Sequence, residues 1–394
     1  MFYKSKKNIV MKKTSLLSLM LLTIIACSPT DKGELGFITK LGSDTLAVET
    51  FTKTDQGFSA KVVLRSPSTV LTSYELKQDE FGGVLELTET SYSTSEGFNG
   101  EGTFRRSIRK DGDSLFTTMM TGNGEMRSFA TKYQEGALPF IDMVHWPFDL
   151  AFQEAAKSES DTVVQKMLSG SRISNFIVAD LGEDRRTVRH PSRGVMDVWV
   201  NDMGEIAKLD AAQTTRKLVV TRENGIDIQS IGMRFFELDK AGKSFGSLSG
   251  AVEEEFMVRG ATFNLSYGSP VRRGRDLFGG IVSWGERWRT GANRATHFST
   301  SNDLMIGSLA VPAGDYTLFS IPEADGGTLI INKQTGQNGQ SYDESRDLGR
   351  VPMQISSKAD NTEVFTIIVE EEGDGGALKL IWGETVFSIP FSIK

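Results

Sequence analysis

From about Gly36 onward the chain is written in strand-length blocks, and no other feature constrains its fold more. Residues 45–54, 58–65, 70–76, 84–92, 102–108 and 114–120 are rich in Thr, Val, Leu and Phe. Asp55-Gln56-Gly57, Phe81-Gly82-Gly83 and Asp111-Gly112-Asp113 stand between several of them. Asp-Gly pairs accept the left-handed backbone of tight hairpins, so consecutive blocks are expected to pair with their sequence neighbours. The expected product is an antiparallel meander.

The pattern then changes. Residues 140–168 carry apolar side chains at helical spacing, with Pro147 near the start, and are expected to form a helical insertion. Strands resume at 174–178, 195–200, 206–209 and 218–222, with Met203-Gly204 as the turn of a hairpin that carries Trp199. A polar, glycine-rich stretch at 239–250 reads as a linker. Beyond it, 262–267, 295–299, 316–321, 327–332, 363–369, 378–382 and 385–393 are short strands, and Gly383-Glu384 closes the last hairpin. The expected class is mainly β: an antiparallel meander over 36–238 with its helical insertion, then a β-sandwich over 251–394.

The first residues carry an address. Lys12 and Lys13 precede an apolar run from Ser15 to Ile25, and Met11 is the better start codon. Eleven residues are too few for a membrane span, which needs roughly 20, so 1–26 reads as a signal peptide. It ends in Ile24-Ile25-Ala26-Cys27, a bacterial lipobox, and Cys27 is the only cysteine of the chain. The expected partner is therefore a membrane, reached through lipid on Cys27, with 27–35 as tether. Ser28 rather than an aspartate follows the cysteine, which directs the expectation to the outer membrane, with the periplasmic or surface face open. The body has no disulfide and must be stabilised by core burial. The leader carries five lysines and no acids, so its removal takes the formal net charge from −7 to −12. An acidic body is a poor nucleic-acid partner.

Residues 267–296 contain the string Trp288-Arg289-Thr290-Gly291-Ala292-Asn293. With residues 309–322, 332–337 and Tyr342-Asp343 they resemble the bacterial family DUF2911 over the last third of the chain. Arg294 stands where that family often has an acid. The resemblance implies an envelope protein, often a lipoprotein, and no reaction.

Catalytic signatures are sparse. The three histidines, His145, His190 and His297, have no metal-ligand spacing, and neither a metal nor another cofactor is expected. Gly246-Ser247-Leu248-Ser249-Gly250 has leucine where a nucleophile elbow needs serine. The dense feature is a cluster: Tyr267, Arg272, Arg273, Arg275, Trp284, Trp288, Arg289 and Asn293, with Tyr342 and Asp343 on a later loop as closers. Indole faces stack on sugars or cations, and guanidinium forks hold carboxylates, phosphates or sugar hydroxyls.

Two roles fit this composition, a glycan or peptide site and the packing of the sandwich. Whether the chain is an enzyme stays open. Glu286 and Asp276 are the acids inside the cluster, and a retaining hydrolase needs such a pair about 5 Å apart. His145-Trp146-Pro147-Phe148 is expected to anchor the insertion. An apolar cavity in the meander would make it a lipid carrier.

The anchor yields the first prediction. Replacing Cys27 by serine is expected to abolish incorporation of an alkyne fatty acid and to leave the precursor uncut. Equal labelling of Cys27→Ser and wild-type protein would refute the anchor.

Overall fold

Strand pairing starts almost where the alternation does. The computed structural model describes residues 1–2 and 33–394, so Cys27 and most of the tether lie outside the described residues. Eight strands follow one another: β1 (Glu34–Leu41), β2 (Asp44–Thr54), β3 (Gly57–Leu64), β4 (Val70–Gln78), β5 (Val84–Tyr92), β6 (Gly102–Asp111), β7 (Ser114–Met120) and β8 (Met126–Lys132). Each pairs antiparallel with the next. The chain then moves to the far edge of the same sheet and returns through β9 (Leu138–Pro139), β10 (Thr162–Ser169), β11 (Arg172–Asp180), β12 (Arg185–His190), β13 (Gly194–Val200), β14 (Ile206–Asp210) and β15 (Val219–Ile226). β15 pairs antiparallel with β1, with Thr39 opposite Val220, and so joins two meandering arms into one 15-stranded sheet.

A helix covers each face near this junction. Helix α1 (Trp146–Ala155) lies on one face and α2 (Ile228–Lys240) on the other. The middle of β2 is consequently an unbroken buried run rather than an alternating one. On the α1 face, Phe37, Phe51 and Phe58 form a chain of ring contacts at 5.0 and 5.4 Å, and Phe58 stacks on Trp146 at 5.3 Å. Opposite them, Val48, Val63 and Leu71 pack under Ile228 and Phe235 of α2.

The start of α1 explains a buried acid. Helix N-termini leave backbone N–H groups without partners. Glu49 of β2, fully buried, accepts from the His145 N–H at 2.9 Å and the Trp146 N–H at 3.0 Å, and its negative charge meets the positive end of the helix. Pro147 sits in the first turn, where its missing N–H costs nothing. Farther along, Asp149 accepts from the Ile206 N–H at 2.7 Å and from Arg222 at 2.5 Å, tying α1 to β14 and β15.

The helical expectation for 140–168 is corrected at its end. Residues 162–169 are strand β10, paired with β11 from Thr162–Ala179 to Ser169–Arg172 around Gly170-Ser171. Val163, Val164, Met167 and Leu168 fit a helical period, but the hairpin supplies them with partners and β-branched valines favour it. A second helix, α2, was not expected. Asp227 caps it by accepting from the Ser230 N–H at 2.9 Å.

The rest of the chain forms two further sheets. One contains β16 (Ser249–Val258), β17 (Ala261–Pro270), β18 (Thr296–Thr300), β21 (Gly314–Glu323), β22 (Gly326–Asn332) and β23 (Asp347–Pro352). The other contains β19 (Leu304–Ile306), β20 (Leu309–Val311), β24 (Gln354–Glu372) and β25 (Gly375–Ile393). Phe263, Phe365, Trp382 and Phe387, each at most 1% exposed, fill the space between them. The fold is mainly β, with β-sandwich-like sheets at the C-terminal end.

The aromatic filling of the α1 face bears on lipid carriage. The void left there beside Phe140, Phe148 and His190 is about 30 Å³, too small for a lipid chain, where a carrier needs several hundred. Trp146 carries the packing of α1, so Trp146→Ala is expected to cost about 3–5 kcal/mol. The measurement is a fall in the urea midpoint at unchanged m value. A loss under about 1 kcal/mol would mean that Trp146 does not hold the helix.

Candidate functional site

The sequence cluster separates on folding. Tyr267 points into the sandwich, 3% exposed, and its hydroxyl accepts from the Ile367 N–H at 3.0 Å. Burial raises its pKa. Trp284 is exposed, stacks on Phe278 at 5.6 Å, and with Arg272 borders a separate shallow depression. Tyr342 donates to Asp347 at 2.8 Å under the Arg287 guanidinium, 3.9 Å from its ring. Asp343 accepts from the Ser345 N–H and so caps a short turn. Neither Tyr342 nor Asp343 borders the site formed by the remaining four residues, so they do not close over it.

Arg275, Trp288, Arg289 and Asn293 do come together. They form one wall of a cleft of about 400 Å³. The indole Nε1 of Trp288 donates to the Gly291 carbonyl at 2.9 Å, and its ring lies on Trp382 at 6.1 Å with 13° between the planes. Residue 288 also exchanges two backbone hydrogen bonds with Ser320 of β21, which fixes the loop to the sheet. The opposite wall belongs to the N-terminal sheet: Arg193 and the β14–β15 connection with Gln213, Thr214, Thr215, Arg216 and Lys217. Thr214 is buried, and its hydroxyl donates to the Ala211 carbonyl while accepting from the Arg216 and Lys217 N–H groups. That turn directs two cations toward the sandwich. Sequence reasoning missed this wall, because two distant loops meet across the cleft and no local spacing records it.

Five cations line the cleft and no acid does. Arg193 and Arg216 share one carboxylate behind the wall, that of Asp142. Lys217, Arg275 and Arg289 form no salt bridge among the described residues; their donors go to backbone carbonyls. Lys217 Nζ reaches Ala212 at 3.0 Å, Arg275 Nε reaches Arg272 at 2.9 Å, and Arg289 Nη1 reaches Asn293 at 3.3 Å. Burial lowers the pKa of all three; Arg273 adds to the effect at Arg275, where Glu363 and Asp44 oppose it, and Arg275 adds to it at Lys217. Glu286 and Asp276 are exposed and lie outside the cleft, so they do not form an acid pair within it. Among the described residues no three His, Cys, Asp or Glu side chains are placed to hold a metal ion.

The loop that carries Trp288, Arg289 and Asn293 falls inside a family match. Residues 249–391 match DUF2911, a protein of unknown function. No curated protein matches the chain. Among solved structures, the chain is similar at 10% identity to one described as "Cell entry of botulinum neurotoxin type C is dependent upon interaction with two ganglioside molecules". The likeness covers 92% of this chain and 88% of that one, with a TM-score of 0.13. The binding domain of botulinum neurotoxin DC in complex with rat synaptotagmin II is similar at 10% identity, with 92% and 89% covered and the same TM-score. At these scores the likeness bears on neither fold nor ligand.

The cleft therefore joins the DUF2911 segment to a wall outside it, and Asp142 sets the charge of that wall. Arg193 and Arg216 hold the Asp142 carboxyl below the usual carboxylate range against the opposing effect of burial. A depressed native pKa stabilises the fold above the unfolded value of about 3.9, and the contribution is lost as pH falls through the native pKa. Asp142→Asn is expected to remove that contribution and flatten the acid limb of the stability profile below about pH 4. Thermal melts from pH 7 to 3 measure this. Parallel profiles for the two proteins would show that Asp142 is not clamped.

Proposed function

We propose that this chain is a lipid-anchored envelope protein that binds a saccharide in the cleft between its N-terminal sheet and its sandwich. The carrying observation is the composition of the two walls. Trp288 is half-buried and offers indole surface, while Arg275, Arg289, Asn293, Gln213 and Thr215 surround it with hydrogen-bonding groups. Sugars present flat C–H faces ringed by hydroxyls, and this pairing of an aromatic body with planar donors and amides suits them. The walls supply donors and no carboxylate, which favours binding over acid–base hydrolysis. The lipobox at Cys27 supports the address and an outer-membrane anchor.

A test uses the full-length protein in detergent on a glycan array, followed by calorimetry of the best glycan. Trp288→Ala and Asn293→Ala are each expected to weaken binding by about tenfold, the value of one good contact, with the melting temperature recorded beside it. Wild-type binding that survives both substitutions in folded protein would move the site elsewhere. Binding to peptides but to no glycan would replace the saccharide by a peptide.

A further inference from the structure

We infer that the saccharide carries an acidic group, a carboxylate or sulfate, received jointly by Lys217 from the N-terminal sheet and by Arg275 and Arg289 from the sandwich. This rests on the cleft being a saccharide site and adds the charge of its ligand. The chain has 51 acidic residues against 44 Lys and Arg, so a cleft with five cations and no lining acid runs against its overall balance. On the same loop, Arg273, two positions before Arg275, is buried and paired with Asp44 at 3.0 Å. In the cleft, Asp142 offsets only Arg193 and Arg216.

Lys217 and Arg275 act on one another as like charges, Arg289 lines the same half-buried space, and all three have neutral carbonyls as hydrogen-bond partners. Like charges in a partly desolvated cleft repel more strongly than in water, and a bound anion removes that repulsion. Guanidinium forks match the two oxygens of a carboxylate or sulfate. The two walls are loops far apart in sequence, so the anion bridges them.

The test compares three probes at constant ionic strength with the full-length protein: trigalacturonate, galactotriose and inorganic sulfate. Variants are Lys217→Met and Arg289→Gln, and the readouts are calorimetric affinity and melting temperature. Trigalacturonate is expected to bind wild type at least about tenfold more tightly than galactotriose, with that margin lost in both variants. Sulfate is expected to raise the wild-type melting temperature and not that of the variants.

Without ligand, the variants should melt no lower than wild type, because each removes a partly buried cation that has no carboxylate partner. Lower melting of both would make the cations structural and overturn the inference. Equal affinity for galactotriose and trigalacturonate would overturn the acidic group while leaving the saccharide site standing. Stabilisation by sulfate, with neither sugar bound, would keep the anion site and discard the saccharide. No response to any probe would overturn the acidic ligand, and the array and calorimetry results would then decide the saccharide site alone.

Discussion

The relation between the N-terminal sheet and the sandwich rests on Arg273. Its guanidinium is buried, donates to Asp44 in β2 at 3.0 Å and to the Phe245 carbonyl at 2.7 Å, and lies 3.7 Å from the centre of the Phe245 ring. Its backbone continues the joint: the N–H donates to Glu363 of β24 at 2.6 Å, and the carbonyl accepts from the Ser43 N–H at 3.0 Å. One residue thus binds the β1–β2 turn, the segment between α2 and β16, and the long strand of the second sandwich sheet. Gly42 is needed opposite it, since a Cβ there would lie 2.0 Å from the Arg273 carbonyl oxygen. Removing one member of such a buried set leaves the others unsatisfied, which costs more than the intact pair contributes. The cleft has one wall on each side of this joint, so its width follows from it.

The N-terminal wall has a support of its own. Glu49 fixes where α1 begins, and Asp149 in the next turn fixes β14 and β15 through Ile206 and Arg222. The Arg222 guanidinium also lies 5.0 Å from Phe37 and 5.4 Å from Phe51, so the polar set is bound into the aromatic packing of the sheet. The turn between β14 and β15 is the one that carries Arg216 and Lys217. Burial of Trp146 under Phe58 and the position of two cations in the cleft are therefore parts of one packed unit. Burial raises the pKa of Asp149 even against Arg222, so this unit keeps a charge pair at a desolvation cost.

Hairpin chemistry made most of the fold legible. The blocks from 45 to 120 appear as strands β2 to β7 because each has a turn and a partner next to it in sequence. The helix α2 carries a signal of its own, Asp227 followed by Ile228, Ile231, Phe235 and Leu238, but it is short and set within long stretches of alternation. The extent of the helical insertion could not be read, since 163–168 satisfies both periods and only pairing with β11 decides. The candidate site was half legible. Residues 267–293 form a loop that crosses the end of the sandwich, and a loop sends neighbouring side chains in different directions. Arg275 and Arg289 reach the cleft, Arg273 enters the joint, and Arg272 and Trp284 face another depression. Composition identified the loop, whereas the direction of each side chain depends on contacts far away in sequence.

Backbone conformation marks the same place independently. Seven non-glycine residues among those described have positive φ, and four of them are Lys217, Arg273, Thr290 and Asn293, at +52°, +51°, +53° and +63°. Lys217 and Asn293 line the cleft from opposite walls, Thr290 separates Arg289 from Gly291, and Arg273 holds the joint. Such positions are strained for ordinary side chains and persist only where surrounding contacts over-determine them. Those contacts are visible. Thr290 is fully buried, donates to Ser320 at 3.0 Å and accepts through its carbonyl from Thr296, and Arg273 has its five partners. Lys217 is held through Thr214 at its backbone and the Ala212 carbonyl at its Nζ, and its side chain adds a charge to a wall that already contains Arg193 and Arg216. Strain and like charge therefore meet on both walls of the same cleft.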